Sequence, residues 1–385
     1  MQPRPRLAPL FALLVIRGIA AFQLQAAAVA APSLIADLHL SYAQVGLAMG
    51  AFLLPGIFLT VPAGLLARRI GDRPVLRAAF LVLALGTAVS VAAGGFPMLL
   101  AGRLLSGVGG VTILMLVIKM TADRFAGPLL STATSTVIVS WPLGTALALV
   151  LLGPVEAAQG WRMVLALSAI PIAAGLALTW AVGQAAPPPP AGNAPPARVG
   201  AGFIGGAALS WGVYNGSIVV MATFLPAFLL TIGGDAAAAS ARSSLVTWSF
   251  AVVVPFCGWL ADRVIGRTGA VAAGMALTGL MFLAIAPTGG AAWVLVLLGI
   301  GLALPPGAMT AQVGDATPQA ARALVFGWYA AGSYLGMSSA PWIAGRLRDA
   351  TTDANAPLLF GAVLMALLVP IYAWFRGSAR LSARA

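Results

Sequence analysis

Long apolar stretches alternate with short breaks of charge, proline or glycine along the whole chain. A helix needs roughly 20 apolar residues to cross the hydrocarbon core of a bilayer. The runs between breaks predict twelve such helices. Six lie at 7–31, 42–67, 74–94, 97–121, 129–153 and 161–183, and six at 201–230, 240–261, 269–287, 291–313, 323–345 and 356–375. The stretch 184–198 separates the two sets and carries Pro187 to Pro190, then Pro195 and Pro196. Proline-rich sequence cannot continue a helix and forms an extended connector. The pattern predicts an all-α membrane protein: a six-helix bundle over 1–183, a linker over 184–198, and a second six-helix bundle with a short basic tail over 199–385.

The two sets are related. The turn after the second run reads Gly64-Leu65-Leu66-Ala67-Arg68-Arg69-Ile70-Gly71-Asp72-Arg73. The turn after the eighth reads Gly258-Trp259-Leu260-Ala261-Asp262-Arg263-Val264-Ile265-Gly266-Arg267, about half the chain later. Gly107, Gly109, Asp123, Gly144 and Gly153 have counterparts at one common offset in Gly299, Gly301, Asp315, Gly336 and Gly345. A shared offset on this scale points to a duplication, and so to pseudo-symmetric halves.

Composition narrows the class. The chain is 61% hydrophobic and 8% charged, against roughly 25% charged for a soluble domain. The net charge of +12 invites a nucleic-acid reading. The arginines sit in short turns between apolar runs, where a membrane protein keeps its cytoplasmic charge, so no nucleic-acid partner is expected. The single Cys257 and single His39 exclude an internal disulfide and a Cys- or His-rich metal site, and no cofactor or metal is expected. The first 31 residues resemble a signal peptide, but Arg17 interrupts the run and its removal would leave the first half one helix short. Arg162, Arg242, Arg346 and Arg348 fall on one side, and the larger set, including Arg68, Arg69, Arg73, Arg263 and Arg267, on the other. That bias puts both termini in the cytoplasm of a multi-pass protein of the bacterial inner membrane.

Two halves with Gly-x-Leu-Ala turns followed by charges, Gly and more charges resemble the major facilitator superfamily over almost the whole chain. The second copy matches better, with Asp262, Arg263, Gly266 and Arg267 in place and one extra residue before the Gly. In the first, Arg68 stands where the family has Asp, and Asp72 where a basic residue is usual. The resemblance implies that these turns, with Gly64, Arg69, Gly71, Arg73 and Gly258, form a cytoplasmic latch between the halves. Arg103-Leu104-Leu105-Ser106-Gly107-Val108-Gly109 resembles the family's Arg-x-x-x-Gly-x-Gly motif in span four. The stretches 31–38, 119–125 and 211–215 are similar to bacterial permeases of the cyanate and nitroimidazole type.

A charge within a span costs on the order of 2.5–3.5 kcal/mol at its centre, so such residues are functional candidates. Arg17 lies roughly 15 Å into the first span, with Gln25 within about 80° of it. It serves either as a fixed positive charge in a polar cavity or as an Arg paired with backbone carbonyls. Arg103 either acts in the transport cycle or snorkels outward. Lys119 is close enough to the cytoplasmic boundary to snorkel. Trp141, Trp211, Tyr214, Asn215 and Tyr329, with Trp248, are candidate lining, against a packing role for each aromatic. The substrate-binding set is therefore Arg17, Gln25, Arg103, Trp141, Trp211, Tyr214, Asn215 and Tyr329. No carboxylate falls in the middle of a span, which disfavours a cation antiporter, and there is no phosphate-binding loop for ATP.

The reading is a monomeric, non-enzymatic secondary transporter that moves a small anionic or polar solute by alternating access. Its partners are that small-molecule solute, the lipid bilayer and a coupling ion. Two alternatives stay open: an exporter of hydrophobic compounds that uses the aromatic lining, and a sensor that binds its ligand without moving it.

Overall fold

The computed structural model describes residues 7–125, 133, 136–182, 199–233, 235–318 and 321–382. The linker 184–198 and the start of the run at 129–153 lie outside these residues. In the first part of the chain α1 spans Leu7–Val29, α2 Ala31–Leu38, α3 Tyr42–Leu53, α4 Gly56–Ile70, α5 Asp72–Val91, α6 Phe96–Arg124, α7 Ser140–Leu167 and α8 Ala169–Ala181. In the second, α9 spans Ala201–Thr231, α10 Ala236–Arg263, α11 Arg267–Ala284, α12 Ala292–Ala303, α13 Pro305–Asp315, α14 Arg322–Thr351 and α15 Ala356–Ser382.

Among the described residues, ten helical stretches are long and apolar enough to cross a membrane. The difference from twelve has physical causes. The runs at 129–153 and 161–183 fall in one stretch of 45 residues, Thr136–Trp180, whose corner is Gly160 at φ 73°. The run at 323–345 forms α14, which is not among the ten. This helix carries Gly327, Gly332, Ser333, Gly336, Ser338 and Ser339. It packs extensively against α9 and α3, and small residues on the faces it packs with allow close backbone approach.

Each half of the chain builds its own core. One cluster runs from Phe203 to Phe375, and another from Phe22 to Leu165. A third, around Phe52 and Phe80, takes Val219 and Met337 from the second half as well. Large apolar side chains such as Phe11, Phe58, Leu85, Trp180, Phe256 and Trp293 remain exposed, as a lipid-facing surface requires.

The halves meet along an antiparallel seam between α3–α4 and α14. A Cβ at Gly46 would overlap the Pro341 carbonyl, one at Gly50 the Ser338 carbonyl, one at Gly345 the Tyr42 carbonyl, and one at Gly56 the Tyr334 ring. Beyond that point the helices part: a Cβ at Gly64 or Gly327 would meet no neighbour within 4 Å. On the same α14, Gly332 and Gly336 lie against the Ala208 and Gly212 carbonyls of α9. The halves are therefore closed at the Tyr42 end and separated at the end that carries the two charged turns.

Candidate functional site

Near the middle of the seam, α1 presents two polar side chains. Arg17 Nη1 donates to the carbonyls of Val137 and Ile138, at 3.3 and 3.2 Å, and to Ser140 Oγ at 3.1 Å. The approach is close because α1 and α7 cross where Gly144 abuts the Gly18 carbonyl. The Ile138 carbonyl is free to accept because Pro142, four residues on, has no N–H to return to it. The Arg17 Nε is buried and has no hydrogen-bond partner. On the other side of the seam, the Tyr334 ring of α14 lies against Gly56 and packs on the first-half core.

Gln25 reaches across the halves: its Nε2 donates to the Ala222 carbonyl of α9 at 3.0 Å. Pro226 again leaves that carbonyl without a helical donor. A third case lies within the second half, where the Tyr214 hydroxyl donates to the Leu302 carbonyl, which Pro306 cannot serve. In each pair a proline on one helix releases an acceptor, and a polar side chain on another helix takes it.

Arg103 is 2% exposed. Its Nε donates to Ala48 O at 3.4 Å, Nη1 to Gln23 O at 3.3 Å and Nη2 to Leu24 O at 3.5 Å. The guanidinium also stands 4.8 Å from the Phe52 ring centroid. The outward-snorkelling reading is corrected here: the side chain points inward and ties α6 to α1 and α3. The cavity beside it, lined by Ala27, Met49 and Leu99 among others, is about 10 Å³, room for about one water.

The aromatic candidates divide. Trp211 stacks between Tyr214 and Tyr329, with centroids at 5.3 and 4.9 Å. Tyr329 in turn lies 3.4 Å from the Thr310 hydroxyl. Asn215 Nδ2 donates to the Trp211 carbonyl one turn back on its own helix, at 2.8 Å. Trp141 packs on the first-half core, and Trp248 is partly exposed on α10. Gln25 and Tyr334 thus reach across the boundary between the halves, whereas Arg17, Tyr214 and Arg103 make their hydrogen bonds within one half. Tyr334 carried no sequence signal, since one Tyr in a glycine-rich helix reads as packing.

The two charged turns lie apart. Lys119 bridges Asp72, at 2.9 Å, and Asp123, at 2.8 Å, so it is ion-paired rather than only snorkelling. Arg267 pairs with Asp262 at 2.6 Å and also with Asp315. Both turns pivot on a left-handed glycine, Gly71 at φ 94° and Gly266 at φ 72°, a conformation that costs a side chain but not a glycine. Arg68, Arg69 and Arg263 close their helices at exposed positions, and a Cβ at Gly258, as at Gly64, would meet nothing. Among the described residues, every ion pair of the two turns stays within its own half.

The Major Facilitator Superfamily profile matches residues 13–341 and 203–384. The chain belongs to the major facilitator superfamily. It is an integral multi-pass membrane protein with the superfamily's transporter fold. An "MFS-type transporter" of Aspergillus terreus (strain NIH 2624 / FGSC A1156) is 30% identical over 144 residues, 37% of this chain and only 26% of that relative's length. Among solved structures, a mutant of the nucleoside transporter NupG superposes with a TM-score of 0.77 at 15% identity, covering 95% of this chain and 98% of that one. The POT family transporter PepTSo gives 0.75 at 12% identity, with 98% and 99% covered. A bacterial homologue of the human lysosomal transporter Spinster, in its inward-facing and occupied conformation, gives 0.74 at 15%, with 100% and 98% covered. At these identities the superpositions speak to the fold alone.

Proposed function

We propose that this superfamily member is a secondary transporter of the bacterial inner membrane that carries a small anionic or polar solute. Two six-helix halves, 1–183 and 199–385, would rock about a solute held between them and expose it to each side in turn. The arginine bias places the charged turns in the cytoplasm, so the separated end of the seam is the cytoplasmic one. Arg17 is the observation that carries the reading. It holds a positive charge at mid-span, engages neighbours through Nη1, and keeps a buried Nε without a partner. An anion seated there would complete its hydrogen bonding and offset the cost of the buried charge. Arg103 supports the site by fixing α1 against α6.

The test is a thermal-shift panel on purified protein that compares cyanate, nitrite and small carboxylates with neutral and cationic drugs. A stabilising anion at about 100 times its Kd should add roughly 2.7 kcal/mol to the folded state. That shift should vanish in Arg17→Gln, along with uptake of the anion into proteoliposomes. The Trp211–Tyr214–Tyr329 stack supports a second reading, the exporter of hydrophobic compounds. Stabilisation only by apolar or cationic compounds would sink the anion site and put that exporter first.

A further inference from the structure

The closed end of the seam carries a set of cross-contacts that the superfamily turns do not explain. An α-helix begins with backbone N–H groups that have no partner in the helix. On α3, Ser41 caps the helix and its hydroxyl takes the N–H of Gln44 at 3.2 Å, while Gln44 Oε1 returns to Ser41 N at 2.9 Å. The Val45 N–H reaches the Ser41 carbonyl. Tyr42 and Ala43 remain, and their donors are taken by the other half of the protein. Asp349, near the end of α14, accepts from Tyr42 N through Oδ1 and from Ala43 N through Oδ2, both at 2.8 Å. A carboxylate there also sits at the positive end of the α3 dipole.

The neighbouring residue binds the same target. Arg348 Nη2 donates to the Tyr42 hydroxyl at 2.8 Å, and its guanidinium lies 3.8 Å from the Tyr42 ring centroid. Its Nη1 is held by the Ala354 carbonyl at 3.0 Å. Arg348 is 6% exposed, so these bonds are largely withdrawn from water. Immediately below, Gly345 abuts the Tyr42 backbone, and Gly46 and Gly50 abut the Pro341 and Ser338 carbonyls. Two successive residues of one half therefore grip the first residues of one helix in the other half, above a stretch of direct backbone contact.

We infer that Asp349, Arg348 and Tyr42 form a clamp that holds the Tyr42 end shut and must release for the transporter to open there. The inference rests on the alternating-access reading above. Separating the helices would expose two N–H donors and a carboxylate at once, so the clamp gives the closed state a defined threshold. It also predicts a bias: weakening it should favour the state open at the Tyr42 end and closed at the turns.

The test uses cysteine accessibility in nanodiscs with a water-soluble maleimide. The only native cysteine, Cys257, is first replaced in Cys257→Ser. Ser338→Cys then reports on the closed seam and Gly327→Cys on the separated end. With the two charged acceptors removed in Asp349→Ala, labelling of the Ser338→Cys reporter should rise about tenfold and that of Gly327→Cys should fall. Tyr42→Phe keeps the ring but loses the Arg348 acceptor, and should raise Ser338→Cys labelling only about twofold to threefold. Opposite movement of the two reporters is the signature of a clamp, because a variant that failed to fold would expose both. Unchanged Ser338→Cys labelling in Asp349→Ala, or both rates rising together, would overturn the proposal. Uptake by the unmodified protein is assayed in parallel: its absence counts against the transport reading, whatever the reporters do.

Discussion

The two charged turns occupy corresponding places in the two halves and end in the same sort of cluster, one base between two acids. They are built the opposite way round. In the first, the turn supplies the acid: Asp72 opens α5 at the helix end that favours negative charge, and the base, Lys119, comes from α6. In the second, the turn supplies the base and one of the acids: Arg267 opens α11, where the helix dipole disfavours it. Asp262, at the end of α10, and Asp315, at the end of α13, compensate. Exposure differs too. The side chains of Lys119, Asp72 and Asp123 are 21, 12 and 13% exposed, whereas Arg267, Asp262 and Asp315 are 33, 52 and 72% exposed. A motif shared by sequence can thus be a partly buried strut in one half and a solvated contact in the other. The departures of the first copy, Asp72 above all, are what the buried version requires.

The sharpest way to break this comparison is Lys119→Met, which leaves two largely buried carboxylates facing each other without the cation that bridges them, Arg124 being the remaining neighbouring charge. Destabilisation of about 2–3 kcal/mol is expected, read as a lowered melting temperature in detergent. Neutralising the acids as well, in Lys119→Met with Asp72→Asn and Asp123→Asn, should recover about half of that loss or more, because the unpaired charges are the larger cost. If the triple variant is no better than the single one, the cluster acts through packing rather than charge. Arg267→Met should cost less than about 1 kcal/mol. That small deficit should disappear in about 0.5 M NaCl, while the Lys119→Met deficit persists. Equal salt sensitivity at the two sites would erase the distinction drawn between them.

Features that depend on local order were legible before the structure. The apolar runs and the position of both turns follow from periodicity and residue type, and they bring the family with them. What stayed hidden depends on pairs distant in the chain. Nothing in the text near Asp349 announces that its partners are the backbone donors of Tyr42 and Ala43, since the capping box around Ser41 looks complete by itself. Arg103 reads as a buried charge, but its acceptors are backbone carbonyls, which carry no residue identity at all. Helix α14 was expected as an ordinary span. Its serines and glycines make sense only once two of its faces are seen packed against α9 and α3, while Leu324, Trp328, Leu335 and Trp342 stay on the exposed side.

The three prolines that release carbonyls have one more consequence. Replacing Pro142, Pro226 or Pro306 by alanine would alter no charge, add no polar atom to any side chain and remove little volume. It would nevertheless restore an N–H to the helix, which would compete for the carbonyl that now answers Arg17, Gln25 or Tyr214. An apolar substitution would then strand a polar group on a different helix. The places where this transporter tolerates least change to its polar interior therefore include residues that have no side-chain polarity themselves.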